Sequence, residues 1–76
     1  MRWTLLITDE VTGEEVLFLD RVSWERVIGK VEEFTNSLRQ YMVREDSGPP
    51  THRMLGVEGQ RPGQLKSVYT LEWKVV

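Results

Sequence analysis

The sequence predicts an α+β domain in the order strand, strand, helix, strand, strand: a four-stranded, mostly antiparallel sheet with one amphipathic helix packed on one face. Two segments with a period of two and one with a helical period carry this reading. Near the start, Trp3, Leu5 and Ile7 alternate with Arg2, Thr4 and Thr8; at the end, Tyr69, Leu71, Trp73 and Val75 alternate with Val68, Thr70, Glu72 and Lys74. Such alternation marks half-buried strands. Between them, Trp24, Val27, Ile28, Val31, Phe34, Leu38, Tyr41 and Met42 recur at steps of three and four, the spacing of one helix face.

After the first strand, Asp9-Glu10-Val11-Thr12-Gly13-Glu14 supplies turn chemistry, with Gly13 free to take a positive φ. The short apolar run Val16-Leu17-Phe18-Leu19 is then a second strand, and the two form a hairpin. Ser23 is placed as the helix N-cap, with Val22 and Val27 at the positions of a hydrophobic staple. The periodicity extends the helix to Met42. Gly29 inside it costs about 1 kcal/mol relative to alanine, which a close approach to the sheet would explain. Glu45-Asp46-Ser47-Gly48-Pro49-Pro50-Thr51 is expected to end the helix, because Gly48 can stop it and the prolines cannot continue it. A third strand follows over His52–Glu58. Arg61-Pro62-Gly63-Gln64 then has Pro and Gly where a type II turn wants them, before the last strand.

This order resembles the β-grasp arrangement of immunoglobulin-binding domains and ubiquitin-like folds, in which the first and last strands pair in the centre of the sheet. The resemblance is one of topology across the whole chain. No family motif accompanies it, so it implies a strand arrangement and no function.

Seventy-six residues allow one domain, and chains this short bury only about 60% of their unfolded surface. With 39% hydrophobic and 29% charged residues, the chain is neither a disordered tail nor a rod. It has no cysteine, which removes disulfides, thiol catalysis and Cys-based zinc sites. No signal peptide and no apolar stretch of membrane-spanning length is present, so the expectation is a cytoplasmic protein without membrane association. With Met1 leading directly into the first strand, the chain reads as a whole small protein.

Few residues suggest chemistry. His52 is the only histidine, and Asp46, Ser47 and His52 share one loop. Members of a catalytic triad are instead held on separate rigid elements, with a preorganised oxyanion hole. A solvated loop histidine is the simpler account. The carboxylate pairs Asp9/Glu10 and Glu14/Glu15 flank a turn but lack the spacing of a calcium loop. Gly56, Gly59 and Gly63 have neither dinucleotide-binding nor P-loop spacing. No enzyme activity, cofactor or metal is expected.

Nucleic acid is the runner-up partner. Residues 1–45 carry six basic and nine acidic side chains, net −3; residues 46–76 carry four and three, net +1. Arg53, Arg61, Lys66 and Lys74 would line the second hairpin, where a sheet can meet a phosphate backbone. A net charge of +1 is not the basic excess such a footprint normally shows.

The stronger signal is apolar. One helix covers one sheet face, and the other is left with Leu6, Val68 and Val76 plus one pair from the second strand, either Leu17/Leu19 or Val16/Phe18. Core packing accounts for all three tryptophans. An apolar edge or face on a protein without catalytic groups points to binding, either of a partner protein or of a second copy. The expected function is therefore a non-enzymatic protein-interaction module, of the kind that phage and mobile-element accessory genes use to act on a host protein. Leu6, Leu17, Leu19 and Val68 are its candidate contact residues.

Overall fold

A computed structural model describes residues 1–76. The elements run β1 (Trp3–Asp9), β2 (Glu15–Val22), α1 (Trp24–Ser37), β3 (Arg39–Ser47), β4 (His52–Gln60) and β5 (Lys66–Val75). All five strands join one antiparallel sheet in the order β2-β1-β5-β4-β3. The class is α+β, but the sheet has five strands and not the four expected. The first and last strands are neighbours, antiparallel from Trp3↔Val75 to Asp9↔Tyr69.

The missing strand was hidden in the helix pattern. Helix α1 begins as read: Ser23 is its N-cap and accepts a hydrogen bond from the Arg26 N–H. It stops at Ser37, a turn earlier than the apolar spacing suggests. Thr35, Asn36 and Ser37 are weak helix formers whose side chains compete for backbone partners. Here the Thr35 hydroxyl donates to the Val31 and Glu32 carbonyls at 3.0 and 3.1 Å, and the Ser37 hydroxyl to that of Phe34 at 2.6 Å. Leu38 turns into extended backbone and Gln40 takes a φ of 51°, which redirects the chain into β3. Leu38 is still buried, so its place in the periodicity was genuine while its backbone was not helical. Tyr41 and Met42 are exposed strand residues.

Glu45, Asp46 and Ser47 consequently finish a strand and end no helix. The β3–β4 turn is Gly48 to Thr51. Gly48 has a φ of 99°, and a Cβ there would lie 2.2 Å from the His52 carbonyl oxygen, so no other residue fits. Between β4 and β5, Gly63 has a φ of 73° and the Gln64 N–H donates to the Arg61 carbonyl at 3.0 Å, the closure expected of the type II turn. The idea that Gly29 makes room for the sheet fails, because nothing lies within 4 Å of its would-be side chain. The close approach occurs at Gly59, where a Cβ would meet Tyr41 Cβ at 3.0 Å and Leu38 Cβ at 3.2 Å.

The core lies between α1 and the centre of the sheet: Trp3, Leu5, Ile7, Val27, Leu38, Val57, Tyr69 and Leu71. Phe34 meets the Tyr69 ring edge-on at 5.2 Å between centroids. Trp24 stacks obliquely on Trp3 at 4.7 Å yet remains 39% exposed, so the helix tryptophan is a lid over the core and not part of it.

Candidate interaction surfaces

Strand pairing sorts every side chain onto one of two faces, because directly paired residues in an antiparallel sheet point the same way. Leu5 pairs with Leu19 and Ile7 with Leu17, which puts Leu17 and Leu19 beneath the helix. Both are half-buried against the core. Leu6 pairs with Phe18, and these two share the face that no helix covers. Phe18 is 51% exposed. The open face thus takes Phe18 from the second strand, a choice the sequence left undecided.

Val68 lies on the open face of β5, opposite Glu58 and exposed. Thr8 and Thr70 intervene between it and the Leu6–Phe18 pair. The four sequence candidates therefore split three ways: Leu17 and Leu19 under the helix, Leu6 beside Phe18, and Val68 apart. Phe18, offered by the sequence only within the alternative pair Val16/Phe18, is the open-face residue absent from those four. Its signal was the register of the first hairpin, which no single strand discloses.

Met42, opposite Glu58, and Met54, opposite Glu72, are further exposed apolar residues on the open face, where they lie among charged groups. Glu58 joins Arg44 and Lys66, with Lys66 Nζ 3.1 Å from its carboxylate, and these two cations hold its carboxyl below the usual glutamate value, the Lys66 hydrogen bond contributing most. His52 Nε2 stands 2.7 Å from a Glu72 carboxylate oxygen. Arg53 is on the opposite, helix-side face and pairs with Asp46. Asp46, Ser47 and His52 accordingly form no triad: Asp46 is on the helix-side face with Arg53, while His52 is on the open face with Glu72.

Arg61 is built into a polar cluster at one end of the sheet. Its Nη2 lies 3.1 Å from Glu14 and 3.4 Å from Asp9, and its Nε donates to the Tyr69 hydroxyl at 3.1 Å. Asp9 is 3% exposed and accepts from the Ser67 hydroxyl at 2.5 Å and from the Val11 and Thr12 N–H groups at 3.0 and 3.2 Å. The Ser67 bond foremost, then the two amides and the Arg61 charge, overcome burial and hold the Asp9 carboxyl below its ordinary value. The cluster ties the β1–β2 turn to the β4–β5 turn. No group of three His, Asp or Glu side chains is arranged to hold a metal ion, and no helix is long and apolar enough to cross a membrane.

Of the four basic residues considered for nucleic acid, Arg53, Arg61 and Lys66 thus each face a carboxylate, and they are divided between the two faces and one end. Only Lys74, opposite His52, takes part in none of the ion pairs. The chain matches no protein-family model, no curated protein and no solved structure at a significant level.

Proposed function

We propose that this protein is a small non-catalytic interaction module that binds protein through the β2 edge and the Leu6–Phe18 patch beside it. The observation that carries the reading is Phe18: a large aromatic side chain, half exposed, on an edge strand and on the face without a helix. An outer strand offers unpaired backbone donors and acceptors to an incoming strand, and apolar side chains beside it add affinity. Aromatic residues in such positions are the usual energetic centres of protein interfaces. The nucleic-acid alternative has less support, since three of its four cations already face a carboxylate within the chain.

The test is Phe18→Lys, a substitution at an exposed position that leaves the eight-residue core untouched. Tagged wild-type and variant chains, checked for folding by circular dichroism, are cross-linked in native cells, and the lysate is treated with nuclease. A stoichiometric protein adduct that survives nuclease and is lost on Phe18→Lys is the expected outcome. Adducts indifferent to Phe18, or retention only through nucleic acid, would overturn the assignment.

A further inference from the structure

The helix-side face of the sheet is only partly covered. A helix is about 10 Å wide and strands lie about 4.8 Å apart, and α1 sits on β1 and β2. Beside it runs a groove of about 250 Å3, walled by Trp24, Ile28 and Val31 of α1 and by Trp73 of β5. Beyond the groove the same face continues over Leu55, opposite Leu71, and Val43, opposite Val57. Ile28 is 37% exposed and Val43 50%. We infer that this groove takes a basic amphipathic helix of a partner protein. The surface lies on the other side of the sheet from Phe18 and stands independently of it.

Backbone pairing selects a helix. Strands β5 and β4 are each bonded on both sides, so the floor offers no row of free donors and acceptors to an incoming strand. An extended segment laid there would bury its own backbone groups unpaired, whereas a helix bonds its own. The width that α1 leaves uncovered over β4 and β3 is about that of one helix.

Charge selects a basic one, because the two flanks of α1 differ. On the flank facing β2, Lys30 pairs with Glu33. On the flank facing the groove, Glu25 and Glu32 are two turns apart in line with Ile28, and both are exposed. Neither takes part in any ion pair. Across the groove Arg53 is already paired with Asp46, which leaves the two glutamates unmatched. The open face has no such imbalance, since Glu58 and Glu72 there meet Arg44, Lys66 and His52. A second copy fits poorly. The single helix of each chain is already seated on its own sheet, and copies meeting groove to groove would oppose carboxylates to carboxylates.

Titrating labelled peptides with the full chain, read by fluorescence anisotropy, tests the inference. The first peptide has fourteen residues, the length of α1, with leucine at steps of three and four and lysine elsewhere. The second carries glutamate in place of lysine, and the third is the first with its order shuffled to abolish the helical period. The basic patterned peptide should bind roughly ten-fold tighter than either control, and amide shifts should centre on Ile28, Leu55 and Trp73. Glu25→Lys with Glu32→Lys should reverse the charge preference. Ile28→Lys should weaken binding about ten-fold, and Phe18→Lys should leave it unchanged. Circular dichroism confirms folding of each variant; if Ile28→Lys does not fold, Val43→Lys takes its place.

A shuffled peptide bound as tightly as the patterned one overturns the helix as occupant. Equal affinity for the acidic peptide, or an unchanged preference in the double variant, overturns the charge assignment. Absence of binding, or shifts centred on Phe18, overturns the groove. Self-association in sedimentation velocity that Ile28→Lys abolishes would give the groove to a second copy instead. Because Phe18→Lys probes the other surface, either reading can fail alone.

Discussion

The two sides of the sheet are built on different principles. Strand β1 buries five of its seven residues, whereas all nine residues of β3 are exposed. The reason is geometric. A helix is about 10 Å wide with its side chains and strands are spaced about 4.8 Å apart, so α1 shields about two of the five strands directly. It lies over β1 and β2 and reaches β5 and β4 through Phe34 and Leu38. The outer part of the β3–β4 hairpin is held by its hydrogen-bond ladder and by exposed ion pairs such as Arg44–Glu58, which contribute little each. Burial stabilises one side, and backbone pairing with weak ion pairs extends the other.

The sharpest way to break this contrast is a pair of truncations. Leu71→Ala empties a fully buried site on the central strand and should cost about 2–5 kcal/mol in urea unfolding. That is a large share of the roughly 5–15 kcal/mol a domain has in total. Val43→Ala on β3, where the side chain is 50% exposed, should stay near or below about 0.5 kcal/mol. Comparable losses at the two sites would mean that the hairpin carries hidden burial. Amide exchange provides the dynamic counterpart: β3 amides should exchange by local opening, while those of β1 and β5 wait for global unfolding.

A second, smaller effect concerns the polar end that joins the two sides. Because the Asp9 pKa is lower in the folded than in the unfolded chain, its stabilisation is complete above the unfolded value of about 3.9. It is lost as pH falls through the folded value. Asp9→Asn removes the charge that Ser67, Val11, Thr12 and Arg61 share. A loss of about 2 kcal/mol at neutral pH follows from the worth of hydrogen bonds to a charged group. The wild-type and variant stabilities should then converge below pH 4. A gap that persists into acid would show that Asp9 matters for shape and not for charge.

These features differ in how far the residues alone disclose them. The first hairpin, the helix N-cap, the type II turn and the last strand rest on local chemistry: Gly13, Ser23, the Pro62-Gly63 pair and a strict alternation after Lys66. Strand β3 was concealed because Leu38 and Phe34 sit at helical spacing yet reach the core from different backbones. Only the run Thr35-Asn36-Ser37 argued against continuing the helix. The candidate surface depended on pairing. Whether Phe18 or Leu17 faces outward is decided by β1, through Leu6↔Phe18. The Asp9–Arg61 cluster joins residues far apart in the chain and left no local trace.

The smallest effects come from two glycines, one on each side of the divide. At Gly59 an alanine Cβ would press on the Cβ atoms of Tyr41 and Leu38, which are fixed by backbone and cannot swing aside. Gly59→Ala should therefore loosen the hairpin where it meets the core, costing about 1 kcal/mol or more as overpacking does. Gly29 is the reverse case. It is exposed in the middle of α1 with open space where a side chain would go, and its φ is not in the left-handed region. Replacing it by alanine removes backbone freedom from the unfolded chain and nothing from the folded one. Gly29→Ala should raise stability by up to about 1 kcal/mol, read as a higher urea midpoint at unchanged slope. A stabilisation there with a loss at Gly59 would confirm that the tight contact in this fold is between the hairpin and the helix end, not between the helix centre and the sheet. Destabilisation at Gly29 would mean that the helix centre packs against the chain more tightly than the open space there allows.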